Sequence, residues 1–145
     1  MNMLYSIHDG VLNIIHKYGV LIARISLGII YIWFGVLKYF PGLSPAEELV
    51  EHTITFISPD IFIPLLATWE VVIGLLFLIG RPVWLAFLLL ILHMPGTFLP
   101  LVVLPDVVWI KFPYAWTLEG QYIIKNLALI SSALFVASLK MKSKK

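Results

Sequence analysis

Residues 65–80 read LLATWEVVIGLLFLIG. The run is apolar enough to lie in hydrocarbon, yet Glu70 stands well inside it. A short carboxylate at that depth reaches neither surface and costs at least ~2.5 kcal/mol unless it is paired or protonated. The composition of the chain puts this residue in a membrane. Of its 145 residues, 61% are hydrophobic and 12% charged, and the mean hydropathy is +0.99, whereas soluble domains are nearer half apolar and a quarter charged. Residues 1–145 therefore read as a single integral membrane domain. Four runs approach the ~20 residues that cross ~30 Å of hydrocarbon: about 19–40, 61–80, 83–104 and 120–139. Turn-forming PGLSP, GRP and LPD and a lysine-rich tail bound them. With only a three-residue connection between the second and third runs, the expected fold is all-α: an up-down-up-down transmembrane four-helix bundle with short interfacial helices.

Residues 2–18 lack the long apolar core and small-residue cleavage site of a signal peptide, and Asp9 interrupts them. Leu4, Ile7, Val11, Ile14 and Tyr18 recur at spacings of three and four, as in a helix lying in the bilayer interface, the alternative being a frayed polar start. Lys17, Arg81, Lys140, Lys142, Lys144 and Lys145 fall on one side of four crossings. Lys38 and Lys111 share the other with six acidic residues, Glu47, Glu48, Glu51, Asp60, Asp106 and Glu119. The asymmetry places both termini on the cytoplasmic side. The net charge of +2 is then a topology signal and a contact with anionic lipid, with no sign of a nucleic-acid partner.

The two outer loops carry features of their own. In PGLSPAEELVEHTITFI, Ser44 followed by Pro45 and Glu47 is a capping-box pattern, so a short helix is expected from Pro45, its Leu49, Val50, Ile54 and Ile57 resting on the membrane. The second loop packs Trp109, Phe112, Tyr114 and Trp116 around prolines; it reads either as an aromatic belt or as a lid. Gly28, Gly35, Gly74, Ala128, Ser131, Ser132 and Ala133 offer surfaces for close helix contact.

The intramembrane polar residues converge by depth. At 1.5 Å per residue, Glu70 lies roughly 13 Å and His93 roughly 15 Å below the outer boundary. Lys125 and Asn126 stand early in the fourth run, and Lys38 stands near the outer end of the first. Arg24, Gly28, Tyr31, Gly35 and Lys38 step by four and three along one helix face. Arg24 and Lys38 are close enough to the ends to snorkel, so Lys125 is the preferred partner of Glu70. Around His93, LHMPGTFLPLVVLP contains prolines that should kink or break the outer half of the third helix. Such backbone persists where protein or a watery cavity satisfies it. His93 then either braces the kink or contacts a ligand.

The stretches RISLGIIYIWFGVLK and EVVIGLLFLIG resemble the DoxX family of small four-helix bacterial membrane proteins over roughly residues 20–139. The family's name comes from a subunit linked to thiosulfate:quinone oxidoreduction, and the resemblance implies association with redox enzymes. It highlights Arg24, Lys38 and Glu70 without giving them chemistry, and HMPGTF and the aromatic loop do not map onto it. With no cysteine, the chain runs no thiol relay and holds no iron–sulfur cluster. One histidine within the runs is too few for a bis-histidine haem. No metal site is expected, and a quinone is the cofactor to consider. Two readings stand at this point. The first is a quinone- or small-molecule-binding accessory subunit of a membrane redox system, with Glu70 and His93 moving protons, Lys38 and Lys125 neutralising charge, Tyr31, Trp33 or Trp69 touching a ring, and Asn126 and Arg24 as further ligand-binding candidates. A redox partner protein or a second copy of the chain would be its company. The alternative is a structural or assembly subunit, or a small channel or transporter-like protein, with the charges as a salt-bridge core.

Overall fold

The computed structural model describes residues 2–142. Four of its segments, Ile7–Leu37, Pro59–Ile79, Val83–Val103 and Leu118–Lys140, are long and apolar enough to cross a membrane. The first belongs to α1 (Asn2–Leu37) and the second is α3 (Pro59–Ile79). The third comprises α4 (Val83–Phe98) and α5 (Pro100–Val103), and the fourth α7 (Leu118–Ile124) and α8 (Asn126–Lys142). α2 (Glu47–Thr53) and α6 (Pro105–Val108) are the short helices at the end opposite the termini. The protein is an all-α four-helix bundle in which α1 packs on α3 and α8, and α4 packs on the same two.

The expected interfacial helix is not a separate element. α1 runs unbroken through Gly19 for 36 residues, about 54 Å at 1.5 Å per residue and well beyond one hydrocarbon thickness. No proline and no positive φ interrupts it there, so nothing in the backbone forces a bend. Residues 7–18 are exposed all round, and this half of the helix projects from the bundle.

Glycine sets the closest helix contact. A methyl at Gly28 would lie 2.9 Å from the Gly74 carbonyl oxygen, and one at Gly74 would lie 2.7 Å from that of Gly28, so α1 and α3 approach backbone to backbone. On α8 the small residues that pack inward are Ala133 and Ala137, while Ala128 and Ser131 stay exposed. The α3–α4 turn pivots on Gly80 in the left-handed region (φ 76°). Arg24 packs directly on Gly80, where any side chain would collide with its guanidinium.

The bundle is filled on one side and hollow on the other. Leu27, Ile73, Phe77, Val83, Ala86, Leu90, Ala133, Val136 and Ala137 form a dry core toward the termini. Towards the other end, polar side chains and a cavity replace it.

Three local expectations are corrected. α2 begins at Glu47 instead of Pro45, and Ser44 does not cap it. Glu47 reaches back past Ser44 to accept from the Gly42 N–H at 2.7 Å, and the Ser44 hydroxyl accepts from Ala46 N–H at 3.4 Å, so the box closes on the preceding turn. The helix around His93 continues through Pro95, which withdraws a single donor; the interruption comes at Leu99, just before Pro100. The aromatic loop is a small antiparallel hairpin of β1 (Trp109–Lys111) and β2 (Ala115–Trp116). Trp109 and Trp116 pair across it with ring centroids 3.7 Å apart.

Candidate functional site

The α1–α3 contact positions the first charged pair. Gly35 lies against Ala67 and Val71 of α3, and one turn further on Lys38 faces Glu70. The Lys38 ammonium donates to Glu70 Oε2 at 2.6 Å with both side chains buried, and also to the Phe34 carbonyl at 3.4 Å. The other carboxylate oxygen, Oε1, is 3.3 Å from His93 Nε2, so both oxygens of Glu70 are engaged. A charge taken from water recovers its solvation through such saturation. Lys38 directly follows α1, Glu70 lies midway along α3 and His93 lies in the second half of α4, and the cluster ties the three together inside the bundle.

Lys125, the partner expected for Glu70, lies elsewhere. Its ammonium stands 3.7 Å from the centre of the Tyr122 ring and 4.9 Å from that of Phe34. Tyr122 precedes it by three residues, which puts ring and ammonium on one face of α7. Lys38 wins the carboxylate because the glycine contact brings α1 against α3 there. Instead of snorkelling, its stem turns inward.

These residues line a cavity of about 110 Å³ walled by Tyr31, Phe34, Lys38, Glu70, His93, Tyr122, Lys125 and Asn126. Gly96, Thr97 and Pro100 close it from α4 and α5. Ala46, Leu49, Val50, Thr53 and Ile54 roof it from α2 and its flanks. The cover is thus α2, and residues 105–119 contribute nothing to the lining. The hairpin is held away by its own stacking and by the Trp109 indole donating to the Leu101 carbonyl at 3.3 Å.

Six of the nine residues singled out in the sequence, Tyr31, Lys38, Glu70, His93, Lys125 and Asn126, meet at this cavity. Arg24, Trp69 and Trp33 do not. Arg24 sits against Gly80 towards the opposite end, and its Nε is buried without a hydrogen-bond partner among the described residues. Trp69, one position from Glu70 and so about 100° round the helix, donates to the Leu89 carbonyl on the outside of the bundle at 3.1 Å. Trp33 is 64% exposed. Sequence reasoning missed Phe34, Thr97, Tyr122 and the α2 roof. Thr97 was findable as the i+4 neighbour of His93, and its hydroxyl lies 3.2 Å from Nε2. The roof was not, because its apolar face suits a membrane surface equally well.

Chemically, the arrangement joins a saturated carboxylate to an imidazole whose second nitrogen, Nδ1, has no partner among the described residues. Nε2 stands between the Glu70 carboxylate and the Thr97 hydroxyl, a setting in which a histidine can exchange a proton. The described residues hold no group of three or more metal-ligating side chains.

The protein-family model of DoxX matches residues 19–103. The chain belongs to the DoxX family. No curated protein and no solved structure matches it. The region matched to DoxX contains Tyr31, Lys38, Glu70 and His93, whereas Tyr122, Lys125 and Asn126 lie beyond it. This DoxX protein is therefore a multi-pass membrane protein whose cavity draws one wall from outside the family match.

Proposed function

We propose that this DoxX protein is a small-molecule-binding accessory subunit of a membrane redox system, and that the cavity holds the head of a quinone or a similar single-ring compound. The observation that carries the reading is the buried Lys38–Glu70–His93 cluster opening on an aromatic-walled cavity. Convergent polar groups in an otherwise apolar hollow are the usual form of a ligand site, and ionisable residues at membrane depth usually serve function. A cavity of about 110 Å³ is of the same order as one that takes a benzene ring, roughly 150 Å³, which suits one ring and leaves a long tail to lie in lipid. Bound there, a quinone supplies the redox chemistry. The chain supplies orientation, a proton at His93 and exclusion of water by α2.

Gly96 gives a clean test. It lines the cavity, and a Cβ there would meet nothing within 4 Å, so a side chain can leave the backbone without a clash. Gly96→Phe should fill the hollow without disturbing the backbone and weaken duroquinone binding by at least about tenfold in calorimetry on nanodisc-embedded protein. The double variant Trp109→Leu/Trp116→Leu, outside the cavity, should bind as wild type does. Equal affinity in Gly96→Phe and wild type would place the ligand elsewhere.

In the same reading the protein lies in a bacterial inner membrane with both termini cytoplasmic, supported by the excess of lysine and arginine on that side. A thiol reagent that cannot cross membranes should then miss a Lys140→Cys variant in intact cells, and labelling there would reverse the orientation. The second reading, a structural subunit, is favoured by one feature. The cluster ties α1, α3 and α4 together and would staple the bundle with no ligand at all.

A further inference from the structure

The charges around the cavity do not cancel. Glu70 is matched by Lys38, and its second oxygen is taken up by His93. Lys125 is the remaining cation on the lining, and no carboxylate pairs with it among the described residues. It stands seven residues into the span that begins at Leu118, about 10 Å along the helix. A lysine there that merely snorkelled would extend its stem to the surface. Instead the ammonium rests on the Tyr122 ring at 3.7 Å and near the Phe34 ring at 4.9 Å. These two rings stand edge to face, 5.8 Å apart. Lys125 is exposed overall and reaches the cavity from its rim, and cation–π contact alone leaves its charge without an anionic partner. An anionic group in the cavity would lie against this ammonium.

The geometry points to one class of occupant: a single six-membered ring bearing an anionic oxygen, either an ionised hydroxyquinone or an aromatic carboxylate, with the oxygen on the Lys125 ammonium and the ring against Tyr122 and Phe34. This rests on the reading of the cavity as a ligand site and adds the sign of the ligand's charge. Lys125 is a specificity-determining residue in this arrangement. Lys38 cannot take that role, because its charge is already spent on Glu70. Lys125 also lies outside the residues that match the DoxX family, so the preference belongs to this chain's own fourth span.

Two matched pairs of probes test the charge and separate its two sources: dihydroxybenzoquinone, ionised at neutral pH, against neutral duroquinone, and salicylate against salicylamide. Affinities are measured by calorimetry on nanodisc-embedded wild type, Lys125→Met and Lys125→Arg. At least one anion should bind about tenfold more tightly than its neutral match, as a hydrogen bond to a charged group implies. The gap should close in Lys125→Met and persist in Lys125→Arg, and the pair that shows it names the source. The wild-type comparison decides alone if the methionine variant does not fold. Neutral probes bound as well as anions, or a preference that survives Lys125→Met, would overturn the inference and leave the ligand site standing. Failure of all four probes to bind would overturn both.

Discussion

Glu70 is the residue on which the molecule turns. A carboxylate and an ammonium removed from water together are tolerable, but either one alone is not. Deleting one partner of a buried pair typically costs about 3–5 kcal/mol, while replacing both by neutral groups is often nearly free. Glu70→Gln and Lys38→Met should therefore each lower the unfolding midpoint of detergent-solubilised protein, each by an amount corresponding to about 3 kcal/mol, and the double variant should recover most of the loss. Lys125→Met combined with Glu70→Gln should show no such recovery, since Lys125 sits on Tyr122 and Phe34. Additive losses for the Lys38–Glu70 pair would contradict the 2.6 Å contact. Hydropathy alone showed that Glu70 had to be paired or protonated, but it did not choose between Lys38 and Lys125. Depth along a helix is legible in sequence, whereas the choice depended on which helices touch. The glycines that decide it, Gly28, Gly35 and Gly74, were recognised as small residues without their partners being known.

At the scale of elements, the four spans were legible because each carries enough apolar residues to be read without any knowledge of its neighbours. The stripe from Gly28 through Tyr31 and Gly35 to Lys38 also turns inward as its spacing requires, all four residues being buried. Short segments were legible only in part. Ser44 and Glu47 look like a capping box, yet Glu47 has a nearer backbone donor in Gly42, a choice that depends on how the chain turns before the helix. Residues 105–119 are rich enough in aromatic rings to suit a belt or a lid; they fold as a hairpin that does not line the cavity, which leaves the belt. α2 takes the covering role because its Leu49, Val50 and Ile54 meet the hollow between α1 and α3. Its apolar face was visible in the sequence, but what that face covers was not. The joining of residues 2–18 to the first span was likewise hidden, since an amphipathic pattern fits an interfacial helix and a projecting one alike.

Across the whole molecule, a filled half and a hollow half divide the labour. The dry core near the termini supplies rigidity, with Phe77 and Ile73 fully buried, and the glycine contact between α1 and α3 fixes the angle at which the hollow half opens. The polar cluster then occupies space that an efficient staple would have filled with packed side chains, since buried ion pairs add little stability over apolar residues of the same size. In the proposed function, the cavity beside this cluster serves a guest. The most direct measurement is an experimental structure of the protein in lipid nanodiscs with duroquinone added. The expected result is ordered ring density within hydrogen-bonding reach of His93, between Tyr31 and Tyr122 and beneath α2. A cavity left empty or filled by packed side chains, with the Lys38–Glu70–His93 cluster unchanged, would contradict the ligand site and leave the cluster as a staple.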